Sequence, residues 1–166
     1  EGEIKFASPQ KSIGYVSQET FLLNSSIKKN IAFAEYEDEI DINKFNNIIE
    51  KCNLKEFVNS FKEKENYIIK NNGSNLSVGQ KQRIGIARAL YKKAEILVLD
   101  EATSALDNET EVEFINSLKN LNKELTIISI AHRKSTLQNC DRIIELKKGK
   151  IIQDMNQKDF KDKYLF

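Results

Sequence analysis

The sequence predicts an α/β fold, a parallel sheet flanked by helices and joined to a mainly helical segment. Two short runs that are apolar or nearly so, residues 96–99 and Thr126–Ile130, have the length and β-branched content of buried strands. Helical stretches separate them, the alternation expected of a parallel sheet. Between residues 42 and 91 the apolar spacing is helical instead. With 40% apolar residues, 31% charged residues and one Pro in 166 positions, the chain reads as an ordinary folded domain.

Ile13–Val16 is the first strand, closed by the polar Ser17-Gln18. Ile42, Phe45, Ile48, Ile49 and Cys52 fall on one helical stripe, with Asp41 as cap. Leu54, Phe57, Val58 and Phe61 mark a second short helix, and the polar residues 70–75 a loop. A helix follows over about 77–91, then the strand 96–99, then a helix over 108–121 with Val112, Ile115 and Leu118 inward and Asp107 as cap. After the buried strand Thr126–Ile130, residues 142–146 and 151–154 form a hairpin around Lys147-Lys148-Gly149-Lys150. The tail from Asn156 is a short surface helix.

Charge and composition exclude several classes. Lys plus Arg number 26 against 25 for Asp plus Glu, so no field of either sign favours nucleic acid or an acidic membrane surface. No apolar run approaches the roughly 20 residues that cross a bilayer. Cys52 and Cys140 stand far apart, without a CxxC spacing or a signal-peptide-like start, which points to a reducing, cytosolic setting. His132 is the single histidine, so a zinc site would need carboxylates to complete it.

Chemistry concentrates in two places. The apolar strand ending in Asp100-Glu101 delivers two carboxylates to the carboxyl edge of the sheet, where open α/β sheets bind ligands. Ser77 and Gly79 open a helix, where free N–H groups and the helix dipole favour phosphate. Taken singly these have plainer readings: a solvated acidic turn, an N-cap at Ser77, a surface amide at Gln18, a capping or surface histidine at His132.

Taken together and in order, the residues Leu76-Ser77-Val78-Gly79-Gln80-Lys81-Gln82-Arg83, then Ala87-Arg88-Ala89-Leu90, then residues 96–107 ending Ser104-Ala105-Leu106-Asp107, resemble the ATP-binding cassette (ABC) ATPases. Gln18 after the first strand resembles the family's Q-loop, and His132 after Thr126–Ile130 its switch histidine. The resemblance implies part of a P-loop NTPase (RecA-like) parallel sheet with a helical signature subdomain, residues 19–93 forming mainly that subdomain and 94–166 the Walker B and switch-histidine part of the core. It implies ATP and Mg²⁺ as ligands. Asp100 and Gln18 would hold Mg²⁺, with Glu101 as general base and His132 and Gln18 orienting water and sensing the γ-phosphate. Ser77, Gly79, Gln80 and Asp107 would face ATP held by a second cassette, identical or different. Val78 stands where the family has Gly, and its β-branched side chain restricts the backbone there. Asn71 or Asn72 replaces the acidic residue often found before the signature.

No G-x-x-x-x-G-K-[ST] occurs, so the chain reads as the C-terminal two thirds of a cassette, of the exporter type, lacking the Walker A segment and the adenine-stacking aromatic. Its setting would be the cytoplasmic side of a membrane, against transmembrane domains, with ATP hydrolysis driving transport and no nucleic acid involved. Phe21, Leu22 and Leu23, after Gln18, are either core or part of the face toward those domains. In the family a P-loop strand lies between Thr126–Ile130 and the strand matching 142–146. Without it the open edge is expected to be covered by the terminal hairpin shifting inward, or by strand exchange with a second copy. Rival readings are a non-catalytic module offering only a signature face, and a soluble ABC protein of DNA repair or translation. Residues 18–76 lack the heptads of the repair type.

Overall fold

A computed structural model of the chain describes residues 12–33, 35–104, 106, 108–119 and 125–164. Strands β1 (Ile13–Val16), β2 (Ile96–Asp100) and β3 (Thr126–Ile130) form a parallel sheet in the order β1-β2-β3. Val16 lies opposite Leu99, and Leu99 opposite Ser129, so all three strands run out at one edge.

The crossover from β1 to β2 carries α1 (Ile27–Ile31), α2 (Ile42–Lys51), α3 (Lys55–Asn59) and α4 (Val78–Tyr91). Asp41 caps α2 through the Lys44 amide, and Phe45, Ile48 and Ile49 are buried as the stripe predicts. Ile42, the first residue of the helix, stays exposed. Leu54 and Val58 are buried around α3, with Phe61 stacked on Tyr67 at 3.8 Å. Residues 70–75 contain a 3-10 turn, Asn71–Gly73, in which Asn71, Asn72 and Gly73 all take positive φ; Asn72 Oδ1 accepts from the Leu22 amide at 2.6 Å.

The long helix α4 lies antiparallel along β1. A Cβ on Gly14 would meet the Ala89 Cβ at 2.4 Å, and one on Gly85 would meet Thr20 Oγ1 at 3.1 Å and Val16 Cγ1 at 3.2 Å. Small residues therefore set the spacing between helix and strand. Ile84, Ile86, Leu97 and Leu99 fill the interface, continuous with Phe45, Leu54 and Tyr91.

The helix α5 (Asn108–Lys119) follows β2, with Phe114 and Ile115 buried and Leu118 partly so. It is described as far as Lys119, and the Val112 side chain and Asp107, its expected cap, lie outside the described residues. A short helix α6 (Lys134–Leu137) follows β3; neither it nor α1 is marked by sequence periodicity, being about one turn long. The antiparallel hairpin β4 (Arg142–Lys147) and β5 (Lys150–Asn156) precedes α7 (Gln157–Tyr164). Its two turn residues, Lys148 (φ 50°) and Gly149 (φ 73°), both take the left-handed conformation that suits a tight hairpin.

Two expectations require correction. β3 is exposed along most of its length, with Ile128 half open, because it is the outer strand of its sheet and no described helix packs across it. Nor does the terminal hairpin shift inward to cover that edge; β4 and β5 form a separate sheet. The hairpin is held instead to the segment after α6: the Gln157 amide donates to Asp141 O and Gln157 Nε2 to Gln138 O, while Ile143 and Phe160 are buried beside it.

Candidate functional site

The carboxyl ends of the three parallel strands bring together Gln18, Asp100, Glu101 and His132. Tyr15 and Asp100 project on the face opposite α4, and the Tyr15 hydroxyl donates to Asp100 Oδ2 at 2.6 Å. That bond to the carboxylate raises the Tyr15 pKa above its ordinary value. Glu101, next in the chain, turns into the loop with φ 50°, a left-handed conformation that costs a non-glycine residue about 1–3 kcal/mol. Two backbone bonds hold it there: its amide donates to Ile130 O at 3.0 Å and its carbonyl accepts from the Ser104 amide at 2.9 Å.

This turn places Glu101 Oε1 3.0 Å from His132 Nε2, and the imidazole is 81% exposed. Gln18 reaches the same loop, its Nε2 donating to Ser104 Oγ at 3.0 Å. The edge is thus an oxygen-rich cluster from adjoining strands. Two carboxylates with a carboxamide oxygen nearby suit a hard divalent cation that keeps most of its waters, whereas no group of three or more His, Cys, Asp and Glu able to hold a metal alone exists among the described residues.

The second predicted group stands apart. Ser77 Oγ accepts from the Gln80 amide at 3.1 Å and Gln80 Oε1 accepts from the Ser77 amide at 2.9 Å, a reciprocal capping box. The cap leaves the Val78 and Gly79 amides without intrahelical partners. Val78 sits in the first turn, 38% exposed, and does not disturb the cap. Since α4 runs antiparallel to β1 with Gln82 beside Ser17 and Gln18, Ser77 extends roughly 7 Å further along the helix axis. No hydrogen bond links Ser77, Gly79 or Gln80 to Asp100, Glu101 or His132 among the described residues. Asp107 lies outside them.

Several residues that sequence reasoning missed join these pieces. Gln82 is 1% exposed and fully bonded: it accepts from Thr20 Oγ1 at 3.0 Å and donates to Ser17 O and Gln18 O at 3.1 and 2.6 Å, tying the signature helix to the Gln18 turn. Arg88 donates to Asn30 O and Phe21 O, fixing the segment after Gln18, in which Leu22 is core and Phe21 is exposed. Glu111 is buried against α6. Gln82 and Glu111 carried one legible signal, a polar residue on the apolar stripe of its helix, at Gln82 with Ile86 and Ala89, and at Glu111 with Phe114, Ile115 and Leu118.

A parallel sheet with acidic residues at its carboxyl edge and a capped helix beyond it defines the class. The sequence pattern of one protein family, described as ABC transporter, matches residues 1–104. The chain belongs to the ABC transporter family. It is 42% identical over 153 residues to the ATP-dependent lipid A-core flippase of Cupriavidus pinatubonensis, covering 92% of this chain and 26% of that protein. It is 41% identical over 150 residues to the toxin RTX-I translocation ATP-binding protein of Actinobacillus pleuropneumoniae, covering 90% and 21%. Among solved structures it is similar to a bacterial Atm1-family ABC exporter with ATP bound, at TM-score 0.79 and 31% identity, covering 92% of this chain and 27% of that one. The chain spans about a quarter of the length of the curated relatives it matches.

Proposed function

We propose that this chain is part of the ATP-hydrolysing motor of an exporter-type ABC transporter, coupling ATP hydrolysis to transport across a membrane. The observation that carries the reading is the 3.0 Å approach of Glu101 and His132 at the carboxyl edge of the sheet, with Asp100 ending the strand that Glu101 follows and Gln18 coming just after the neighbouring β1. Similarity to a flippase, a toxin translocation protein and an exporter supports the direction of transport.

In this reading Glu101 accepts a proton from the attacking water, and His132, bonded to the same carboxylate, orients water and γ-phosphate. The left-handed turn fixes the carboxylate before substrate arrives, so little reorganisation is needed. Gln18 senses the nucleotide, and through Gln82 its movement is shared with α4. Asp100 and Gln18 would hold Mg²⁺, which when bound with ATP neutralises phosphate charge. Ser77, Gly79 and Gln80, with Asp107, would meet ATP on a second cassette, where the two unpaired amides of the helix start suit phosphate oxygens.

Residues 19–93 would act as the signature subdomain and 94–166 as the catalytic part of the core. No helix among the described residues is long and apolar enough to cross a membrane, so attachment would come through transmembrane domains on the cytoplasmic side, with exposed Phe21 on the contact face.

The test is Glu101→Gln in the complete transporter, which keeps the side-chain shape and removes the base. ATP turnover is expected to fall by about two orders of magnitude or more while ATP binding persists. Unchanged hydrolysis would reject Glu101 as the base.

A further inference from the structure

Glu111 has a setting that the chemistry above does not use. It lies near the start of α5, is 1% exposed, and carries a charge. Its Oε1 accepts from Thr136 Oγ1 at 2.6 Å, and its Oε2 from Ser135 Oγ at 2.8 Å and from Arg133 Nη1 at 3.4 Å. Thr136 Oγ1 also lies 3.1 Å from Thr103 Oγ1. The Arg133 guanidinium then reaches the other way, Nη1 donating to Leu106 O at 2.7 Å and Nη2 to Ser104 O at 3.1 Å.

Two loops meet in this cluster. One, residues 101–106, carries Glu101, and the other, residues 131–136, carries His132. The described residues of the first belong to no helix or strand and the second is irregular until α6 begins at Lys134, and three residues of the first, Thr103, Ser104 and Leu106, are bonded to Arg133 or Thr136 of the second. Ser104 is central: its amide bonds Glu101 O, its hydroxyl accepts from Gln18, and its carbonyl accepts from Arg133. Hydrogen bonds to a charged group are stronger and more directional than neutral ones, and a buried carboxylate is stable only with its partners in place. Hydrophobic contact would hold the loops together without fixing their register; a fork on two carbonyls fixes it.

We infer that Glu111 and Arg133 are positioning residues that set the distance between Glu101 and His132. The inference rests on the catalytic reading proposed above, and neither residue is assigned contact with substrate.

The test uses the complete transporter, with Arg133→Gln, Arg133→Lys and Glu111→Gln, read by steady-state ATPase kinetics and by amide hydrogen exchange over residues 101–106. Arg133→Gln is expected to lower kcat about tenfold or more with KM for ATP within about twofold, since small displacements of reacting groups are costly. Exchange over 101–106 should quicken while α4 is unchanged, and Arg133→Lys should recover part of kcat. Faster exchange with full kcat would overturn the proposal by making the cluster merely structural, as would a raised KM at unchanged kcat. Should Arg133→Gln fail to fold, Thr136→Val, which deletes one hydroxyl, carries the same two readouts. Glu101→Gln in parallel separates the two ideas: full turnover there rejects the catalytic reading, and exchange alone then decides the clamp, unchanged protection of 101–106 in Arg133→Gln overturning it.

Discussion

Glu101 and Glu111 are ten positions apart and solve opposite problems. Glu101 is half-buried and held in a left-handed turn, where its carboxylate faces the imidazole and solvent. Glu111 is sealed in, and burial by itself would raise its pKa; hydrogen bonds from Thr136, Ser135 and Thr103 and the charge of Arg133 outweigh burial and hold the carboxyl below the usual carboxylate range. A carboxyl whose folded pKa is depressed stabilises the protein above its unfolded value of about 4.3, and that stabilisation is lost as pH falls through the folded value. Glu35, Glu37 and Asp154 are shifted the same way, so acid sensitivity is shared. The difference between wild type and Glu111→Gln isolates one contribution: the urea midpoint should drop more steeply for wild type than for the variant between about pH 6 and about pH 3. Parallel curves would show that Glu111 gains nothing from ionisation in the fold.

At the scale of elements, the contact that matters is α4 on β1. Gly14 and Ala89 approach so closely that a methyl on Gly14 would sit 2.4 Å from the Ala89 Cβ, and this spacing also lets Gln82 reach the Ser17 and Gln18 carbonyls. Gly14→Ala should therefore force helix and strand apart and cost about 1–3 kcal/mol, as overpacking does. Adding Ala89→Gly removes the closest contact, leaving the Ala94 Cβ at 3.1 Å, but weakens the helix by about 1 kcal/mol. A urea double-mutant cycle should give a favourable coupling between the two changes. Additive losses would place the strain of Gly14→Ala elsewhere than at Ala89.

For the whole molecule, the sheet is covered on one face by α4, while the other presents Tyr15, Ile128 and Ile130, each about half exposed or more. Parallel sheets are ordinarily covered on both faces. The same face bears Asp100, so the acidic edge opens to solvent. Nothing in the 166 residues supplies a phosphate-cradling glycine loop with its lysine, and the carboxylates of Asp100 and Glu101 repel a polyphosphate that lacks such donors. Calorimetry of ATP and Mg²⁺ into the isolated chain is expected to detect no micromolar binding and phosphate-release assays no specific hydrolysis. Micromolar affinity would mean that these residues alone build a nucleotide site.

The strands, the helices at α2, α4 and α5, the hairpin turn at Lys148-Gly149 and the edge position of Asp100 and Glu101 were all legible in the sequence, because each follows from local pattern: apolar runs, helical stripes, caps and a glycine turn. What tertiary structure alone decided was contact between segments distant in the chain. The left-handed turn at Glu101 depends on Ile130 O, 29 residues on, and the Gln82 bonds cross more than 60 positions. Glu111 stands out in the sequence only as a polar residue on the apolar stripe of α5, and its partners are fixed where α6 and Arg133 close over it. The exposure of β3 was misjudged for the same reason: composition states that a strand can be buried, but burial requires a neighbour, and which neighbour is present is a property of the packed chain.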